Sequence, residues 1–249
     1  MHDARCKTCS PKLERRRMQD AYTILCIRKG DGSYENYNPN PYRGNYRTMR
    51  KLIISEFITL DGVMEDPGGA EEFEYGGWSL DYFNDEYLKF KYDELVAADA
   101  LLLGRKTYEI FADAWPSHAD SKSFANAMNS MPKYVVSRKL KKLAWKNSII
   151  IKGDLTKEIG DLKKQIGKNI LVLGSAQLVR TLLQLNLVDE MHLMIHPIIL
   201  GKGKRLFESL PGSRSLKLKK AVAFSSGIVV FSYLSMPVKE TREFYVGVR

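Results

Sequence analysis

A unit that repeats along most of the 249-residue chain constrains its fold most: a short β-branched or Leu-rich run stops at a turn and a helical pattern follows. Lys51 to Thr59 (KLIISEFIT) reads as a first strand, Asp81 to Ala98 as a helix, Ala100 to Leu103 as a strand and Lys106 to Ala112 as a short helix. Lys133 to Val136 and Ser148 to Ile151 are further strands. Leu155, Ile159, Leu162 and Ile166 then recur at spacings that place them on one helical face. Ile170 to Leu173 is a buried-type strand, Leu178, Leu182 and Leu185 form the stripe of the next helix, and Glu190 to His196 is another strand. The end differs, because Leu216 to Phe224 and Ile228 to Leu234 flank Ser225-Ser226-Gly227, a hairpin signal. The expectation is an α/β fold of three α-β-α layers, its mixed, mostly parallel sheet closing on a C-terminal antiparallel hairpin.

Charge divides the chain. Residues 1–48 hold 10 Lys/Arg against 5 Asp/Glu, leaving 29 against 24 for the rest, so half of the net +10 lies in the first fifth. All three cysteines, Cys6, Cys9 and Cys26, are there too, so the remainder has no thiol nucleophile or disulfide scaffold, a pattern suited to a reducing cytoplasm. Ser33 to Thr48 is rich in Tyr, Asn, Pro and Gly and reads as a linker or tail. The expected organisation is an N-terminal extension over residues 1–48, disordered or not native, one domain over 49–235, and a tail over 236–249. Met49 is read as the natural start; intact mass of the native protein would reject this if the preceding residues were present. Ala21 to Ile27 is too short to cross a bilayer and lacks a convincing export cleavage site, so no membrane or export segment is expected.

In an open α/β sheet, ligands bind beyond the carboxyl ends of the strands. Three such junctions stand out. Leu101 to Glu109 (LLLGRKTYE) ends a strand at Gly104 and opens a helix with Arg105, Lys106 and Thr107. Ile170 to Gln177 (ILVLGSAQ) does the same at Gly174 with Ser175 and Ala176. Tyr134 to Lys139 (YVVSRK) ends a strand in a hydroxyl and two cations. Glycine permits close approach to the backbone, and free N–H groups at a helix start attract phosphate. Each junction alone also reads as an ordinary turn; two helix N-termini and a basic turn at one edge can hold a pyrophosphate and a ribose phosphate, the groups of a dinucleotide.

The order LLLGRKTYE, YVVSRK, ILVLGSAQ and Val188 to Phe207 (VDEMHLMIHPIILGKGKRLF), preceded by Ser55 to Val63 (SEFITLDGV), resembles the dihydrofolate-reductase-like superfamily, specifically the reductase domain at the C-terminus of RibD, the riboflavin-biosynthesis enzyme. The resemblance spans roughly Met49 to Leu234 and implies an NADPH-dependent reductase of a small heterocyclic substrate, acting as a homodimer. It implies that Gly104, Arg105 and Thr107 contact the cofactor phosphates, that Ser137 and Arg138 lie near the adenosine 2′-phosphate, and that Gly174, Ser175, Ala176 and Gln177 line the pyrophosphate. A cation at Arg138 with no acidic residue beside it favours NADPH over NADH. True dihydrofolate reductases differ: Ser175 replaces the second glycine of their Gly-Gly pair, which argues against that pair's cis bond here, Met131-Pro132-Lys133 lacks their folate-tail arginine, and their Pro-Trp-x-Leu-Pro-x-Asp segment is missing. A folate substrate is therefore not expected, and a phosphoribosylamino-pyrimidine, a pterin or another small carbonyl or imine compound fits.

Hydride transfer to C=N or C=O is helped by an acid, often a carboxyl with a raised pKa in a closed pocket. Asp61, in the family's Leu-Asp-Gly motif, is the first catalytic candidate, with an Asp-Gly turn as its structural alternative. Asp81 is the second, with a helix N-cap as its alternative. Glu65 to Trp78, with Gly68, Gly69, Gly76 and Gly77, reads as a lid over the nicotinamide or a plain surface loop.

Other signals point elsewhere. Cys6-Lys7-Thr8-Cys9 has no second ligand pair, so no metal is expected. His192 and His196 share a strand face without a nearby carboxylate in sequence and read as packing or polar contacts. A basic nucleic-acid-binding module is the rival class, but the excess outside residues 1–48 is only +5 and the lysines are not interleaved with aromatics, so no nucleic-acid partner is expected. A member that binds NADPH without catalysis is a third reading.

Overall fold

The computed structural model describes residues 25–28, 34–37, 49–118 and 124–236. The chain divides into two units, Met1–Thr48 and Met49–Arg249. In the first, β1 (Leu25–Arg28) pairs antiparallel with β2 (Tyr34–Tyr37), so part of the stretch read as a linker is a strand. The Cys6/Cys9 pair and all but the first residue of the expected C-terminal tail lie outside the described residues.

The second unit is built on eight strands in the order β6-β5-β4-β7-β3-β8-β10-β9. These are β3 (Leu52–Thr59), β4 (Ala98–Gly104), β5 (Lys133–Val136), β6 (Ser148–Ile151), β7 (Asn169–Val172), β8 (Glu190–His196), β9 (Leu216–Ala223) and β10 (Val229–Ser235). The first six positions are parallel; β10 runs against β8 and β9 against β10. The mixed sheet with an antiparallel closing hairpin is the expected one. The helices are α1 (Asp85–Val96), α2 (Arg105–Ala114), α3 (Phe124–Ser130), α4 (Leu155–Lys164) and α5 (Ala176–Gln184).

Alternation along the strands builds a core on each face. Leu52, Ile54 and Leu102 pack with Ile159 and Leu162 of α4 and Leu182 of α5. Ile53, Leu101 and Leu103 pack on the other face with Leu95 of α1, Tyr108 of α2 and Met128 of α3. Burying each large aliphatic side chain stabilises the fold by about 1.5–3 kcal/mol, which is why the helices stay docked. Two boundaries moved for local reasons. The helix expected from Asp81 starts at Asp85 because Asn84 accepts the Tyr87 N–H at 2.9 Å and caps it there. Ile166 is 80% exposed because α4 stops at Lys164, before the periodicity ends.

Candidate active site

Capping separates two kinds of helix start. The first turns of α1 and α4 are satisfied by the side chains of Asn84 and Asp154, whereas α2 and α5 begin at Gly104 and Ser175 with no side-chain cap. Their first N–H groups are left for another acceptor, with the positive end of the helix dipole behind them.

Because β4 and β7 are neighbours, these two turns meet. Gly104 N–H points to the Gly174 carbonyl at 3.4 Å. A Cβ on Gly104 would lie 2.5 Å from Ser175 Oγ, and one on Gly174 would lie 2.6 Å from Thr107 Oγ1. Gly174 also has φ of +63°, so both glycines are required by close approach and the second by backbone as well. The Gly174–Ser175 peptide is cis, contrary to the expectation drawn from Ser175.

Both turns line one cleft of about 1940 Å³ at the carboxyl edge of the parallel strands. From the first come Gly104, Arg105 and Thr107; from the second come Gly174, Ser175, Ala176 and Gln177. The basic turn joins them. Val136 of β5 is paired with Ile151 of β6, which sets Ser137, Arg138 and Lys139 beside Lys152, and all four residues line the cleft. Ser137 Oγ accepts the N–H groups of Lys139 and Leu140 at 3.2 and 2.9 Å, fixing the turn. Arg138, Lys139 and Lys152 make no ion pair among the described residues, while Asp154 is engaged as the α4 cap and Arg105 is paired with Glu109 at 2.8 Å. The donor set therefore fits a dinucleotide carrying an extra phosphate: unspent helix N–H groups for a diphosphate and unpaired cations for a monophosphate.

At the cleft floor, β3 and β7 pair only as far as Ile54 and Val172. Beyond that point Glu56 takes over the β7 side, its Oε1 accepting the Gly174 N–H at 2.7 Å. Glu56 is 6% exposed and lines the cleft with Ser55 and Phe57. Burial pushes its carboxyl up to about 8, outweighing the Gly174 N–H and the charge of Lys91, with Glu94 adding to the rise. Burial thus favours its protonated form.

Next to it, α1 contributes an ionic chain. Lys91 Nζ donates to Ser55 Oγ at 2.6 Å and to Glu94 Oε2 at 2.5 Å, and Ser55 Oγ donates to the same oxygen at 2.8 Å. Glu94 Oε1 bonds His192 Nδ1, and His192 Nε2 meets Glu190 Oε1 at 3.1 Å, where Lys219 also bonds at 2.7 Å. Burial alone would lower the His192 pKa, but the two carboxylates outweigh it and raise it. Contrary to the expectation of no nearby carboxylate, His192 meets two: Glu190 from two residues away on its own strand, and Glu94 from 98 residues away. His196 is wholly buried among Phe57, Trp78 and Tyr82, behind the cleft-lining Phe57 and not itself a lining residue, and burial pushes its pKa down.

Neither sequence-stated acid lines this cleft. Asp61 accepts from Thr59 Oγ1 at 2.6 Å and from the N–H groups of Leu200 and Gly201 at 3.3 and 2.9 Å, with Gly62 following at φ of +83°. What burial would raise, these bonds more than reverse, so its carboxyl is held below the ordinary range: the Asp-Gly turn alternative. Asp81 is exposed in a short 3-10 helix, Leu80–Tyr82, and Asn84 is the cap of α1. Glu56 was passed over, though a signal existed: the one charged residue in a buried-type strand of apolar and hydroxyl side chains.

The segment Glu65 to Trp78 also borders the cleft, through Pro67, Gly68, Ala70 and Glu71. It is pinned rather than slack. Asp66 Oδ1 accepts the N–H groups of Ala70 and Glu71 at 2.7 and 2.9 Å, and Trp78 Nε1 donates to the Glu65 carbonyl at 2.8 Å.

A family model described as RibD C-terminal domain matches residues 50–230. The protein YyaP of Bacillus subtilis (strain 168) is 33% identical over 192 residues, 76% of this chain and 97% of YyaP. Among solved structures, one from Shewanella sp. PV-4, ascribed to riboflavin biosynthesis, is 24% identical with a TM-score of 0.59, covering 75% of this chain and 99% of that one. The diaminohydroxyphosphoribosylaminopyrimidine deaminase/5-amino-6-(5-phosphoribosylamino)uracil reductase of Thermotoga maritima is 16% identical with a TM-score of 0.51, covering 76% of this chain and 57% of that one. These two likenesses show a shared fold.

Proposed function

The chain belongs to the RibD C-terminal domain family, and from that premise we propose that it is an NADPH-dependent reductase of a small, flat nitrogen heterocycle, akin to a phosphoribosylamino-pyrimidine. The observation that carries the reading is the convergence on one cleft of two uncapped helix N-termini and three unpaired cations. NADPH, when bound, supplies a hydride equivalent to the carbon of a C=N or C=O group. The N–H groups opening α2 and α5 hold its diphosphate across the Gly104 and Gly174 turns. Arg138, Lys139 and Lys152 hold the 2′-phosphate, the group that distinguishes NADPH from NADH.

The cleft is larger than the roughly 300–1,000 Å³ typical of a single small-ligand pocket, which leaves room for a substrate beside a dinucleotide. Phe57, and Tyr87 stacked on Phe83 at 4.2 Å, offer ring faces to a planar substrate. The test is NADPH oxidation by the full chain against panels of pyrimidine, pterin and quinone-like compounds. The reading expects turnover with a pyrimidine or pterin and a much slower rate with NADH. No turnover with any panel, together with no NADPH binding, would remove it.

A further inference from the structure

Five carboxyls line the cleft, and four of them are held by cations or by backbone N–H groups of their own loops. Glu65 is paired with Lys204, Glu71 faces Lys106 at 3.6 Å, Asp154 caps α4, and Asp66 accepts two backbone N–H groups. The fifth, Glu56, sits where the β3–β7 ladder ends, on the Gly174 turn and beside two residues that face the substrate space. We propose that Glu56 is the acid of the reaction, and that the opposed charges of Lys91 and Glu94 set the pH range over which it keeps its proton. The proposal rests on the reading that the cleft holds NADPH and a reducible substrate.

With Oε1 accepting the Gly174 N–H, Oε2 is the oxygen that carries the proton. In the step, the Oε2–H bond breaks and its electron pair stays on the carboxylate. The proton joins the nitrogen or oxygen of the C=N or C=O group whose carbon receives the hydride equivalent. The Gly174 N–H and the Lys91 charge stabilise the carboxylate left behind, and a proton returns from water entering the cleft when product leaves.

The charges around Glu56 explain why it stays neutral beside a lysine. From α1 come Lys91, which favours ionisation, and Glu94, which opposes it and binds Lys91 directly. From β8, His192 holds Glu94 on its far side, with Glu190 and Lys219 beyond it. From the β7 turn comes only the Gly174 N–H, and the α5 cation Arg180 is occupied by the Ala176 and Glu208 carbonyls. Lys91 and Glu94 are positioning residues: they tune Glu56 by cancelling each other.

Difference infrared spectroscopy of the full chain without cofactor reads the proton directly. A protonated carboxyl band is expected to titrate with a midpoint near the value of about 8 set by burial, and to vanish in Glu56→Gln. That variant keeps an oxygen for the Gly174 N–H, so NADPH affinity should be unchanged while turnover falls by roughly 10²–10⁴-fold. Two further variants should move the alkaline limb of the rate profile in opposite directions by about one pH unit: Glu94→Gln downward, by freeing the Lys91 charge, and Lys91→Met upward. If Lys91→Met does not fold, Glu94→Gln and the infrared titration decide. No protonated band at pH 7, or a Glu56→Gln enzyme with wild-type turnover, would overturn the assignment. Failure of wild type to bind NADPH in a separate titration would instead remove the proposed function, leaving the infrared result to stand alone.

Discussion

Burying Glu56 as a neutral acid costs the folded protein stability at any pH where the unfolded chain would ionise it. Its folded pKa is raised from 4.5 to about 8, so its contribution is fully present below 4.5 and is lost as pH rises towards 8. Since each tenfold change in acidity is worth about 1.4 kcal/mol, the loss is on the order of several kcal/mol. Glu56→Gln should therefore gain stability over wild type progressively between pH 5 and pH 8 in denaturant titrations; parallel curves would contradict the buried, neutral state. Asp61 shows the opposite economy, a carboxylate that three donors hold ionised in a turn. Sequence separates the two residues poorly, because an Asp-Gly motif looks alike whether its carboxyl faces a substrate or its own backbone.

Among the elements, strands were legible because β-branched runs alternate faces over a few residues. Lys133–Val136, Ser148–Ile151 and Glu190–His196 have the bounds expected of them. α3, Phe124–Ser130, was not: one helical turn above the minimum has no periodicity to read, and its Ala125 and Met128 are held by tertiary packing. The Lys91–Glu94–His192 chain was hidden for another reason, since its members come from a helix and a strand that only the sheet order brings together. The Gly104 and Gly174 turns were legible through their glycines, and glycine substitutions test their proposed role as phosphate turns. Gly174→Ala forces a side chain into a left-handed backbone 2.6 Å from Thr107 Oγ1; a loss of about 1–2 kcal/mol and weaker NADPH binding are expected. Gly160→Ala, in α4 with nothing within 4 Å of the new methyl, should stabilise by about 0.5–1 kcal/mol and leave binding alone. Calorimetry of the two variants reads both, and equal effects would contradict the close-packed turn.

On the scale of the whole molecule, the strand order explains why the cleft opens at the carboxyl edge of the sheet. Connections leave β3 past β7 to β4 and return from β6 to β7, so the ends of β4 and β7 meet where successive crossovers run in opposite senses. The lateral end of the sheet differs in composition. The sheet's last strand, β9, carries Lys217, Lys219 and Lys220 on an exposed edge, a composition that discourages edge-to-edge pairing, and Lys219 is further engaged with Glu190. Among the described residues no helix is long and apolar enough to cross a membrane. The central claim, that this edge holds NADPH by its extra phosphate, is tested most directly by isothermal titration of NADPH and NADH into the full chain and into Arg138→Ala. A charge-assisted contact is worth about 1.5–3 kcal/mol, so wild type should bind NADPH about tenfold or more tighter than NADH, and the variant should lose most of that preference with little change for NADH. Equal affinity of wild type for the two nucleotides, or equal losses in the variant, would contradict it.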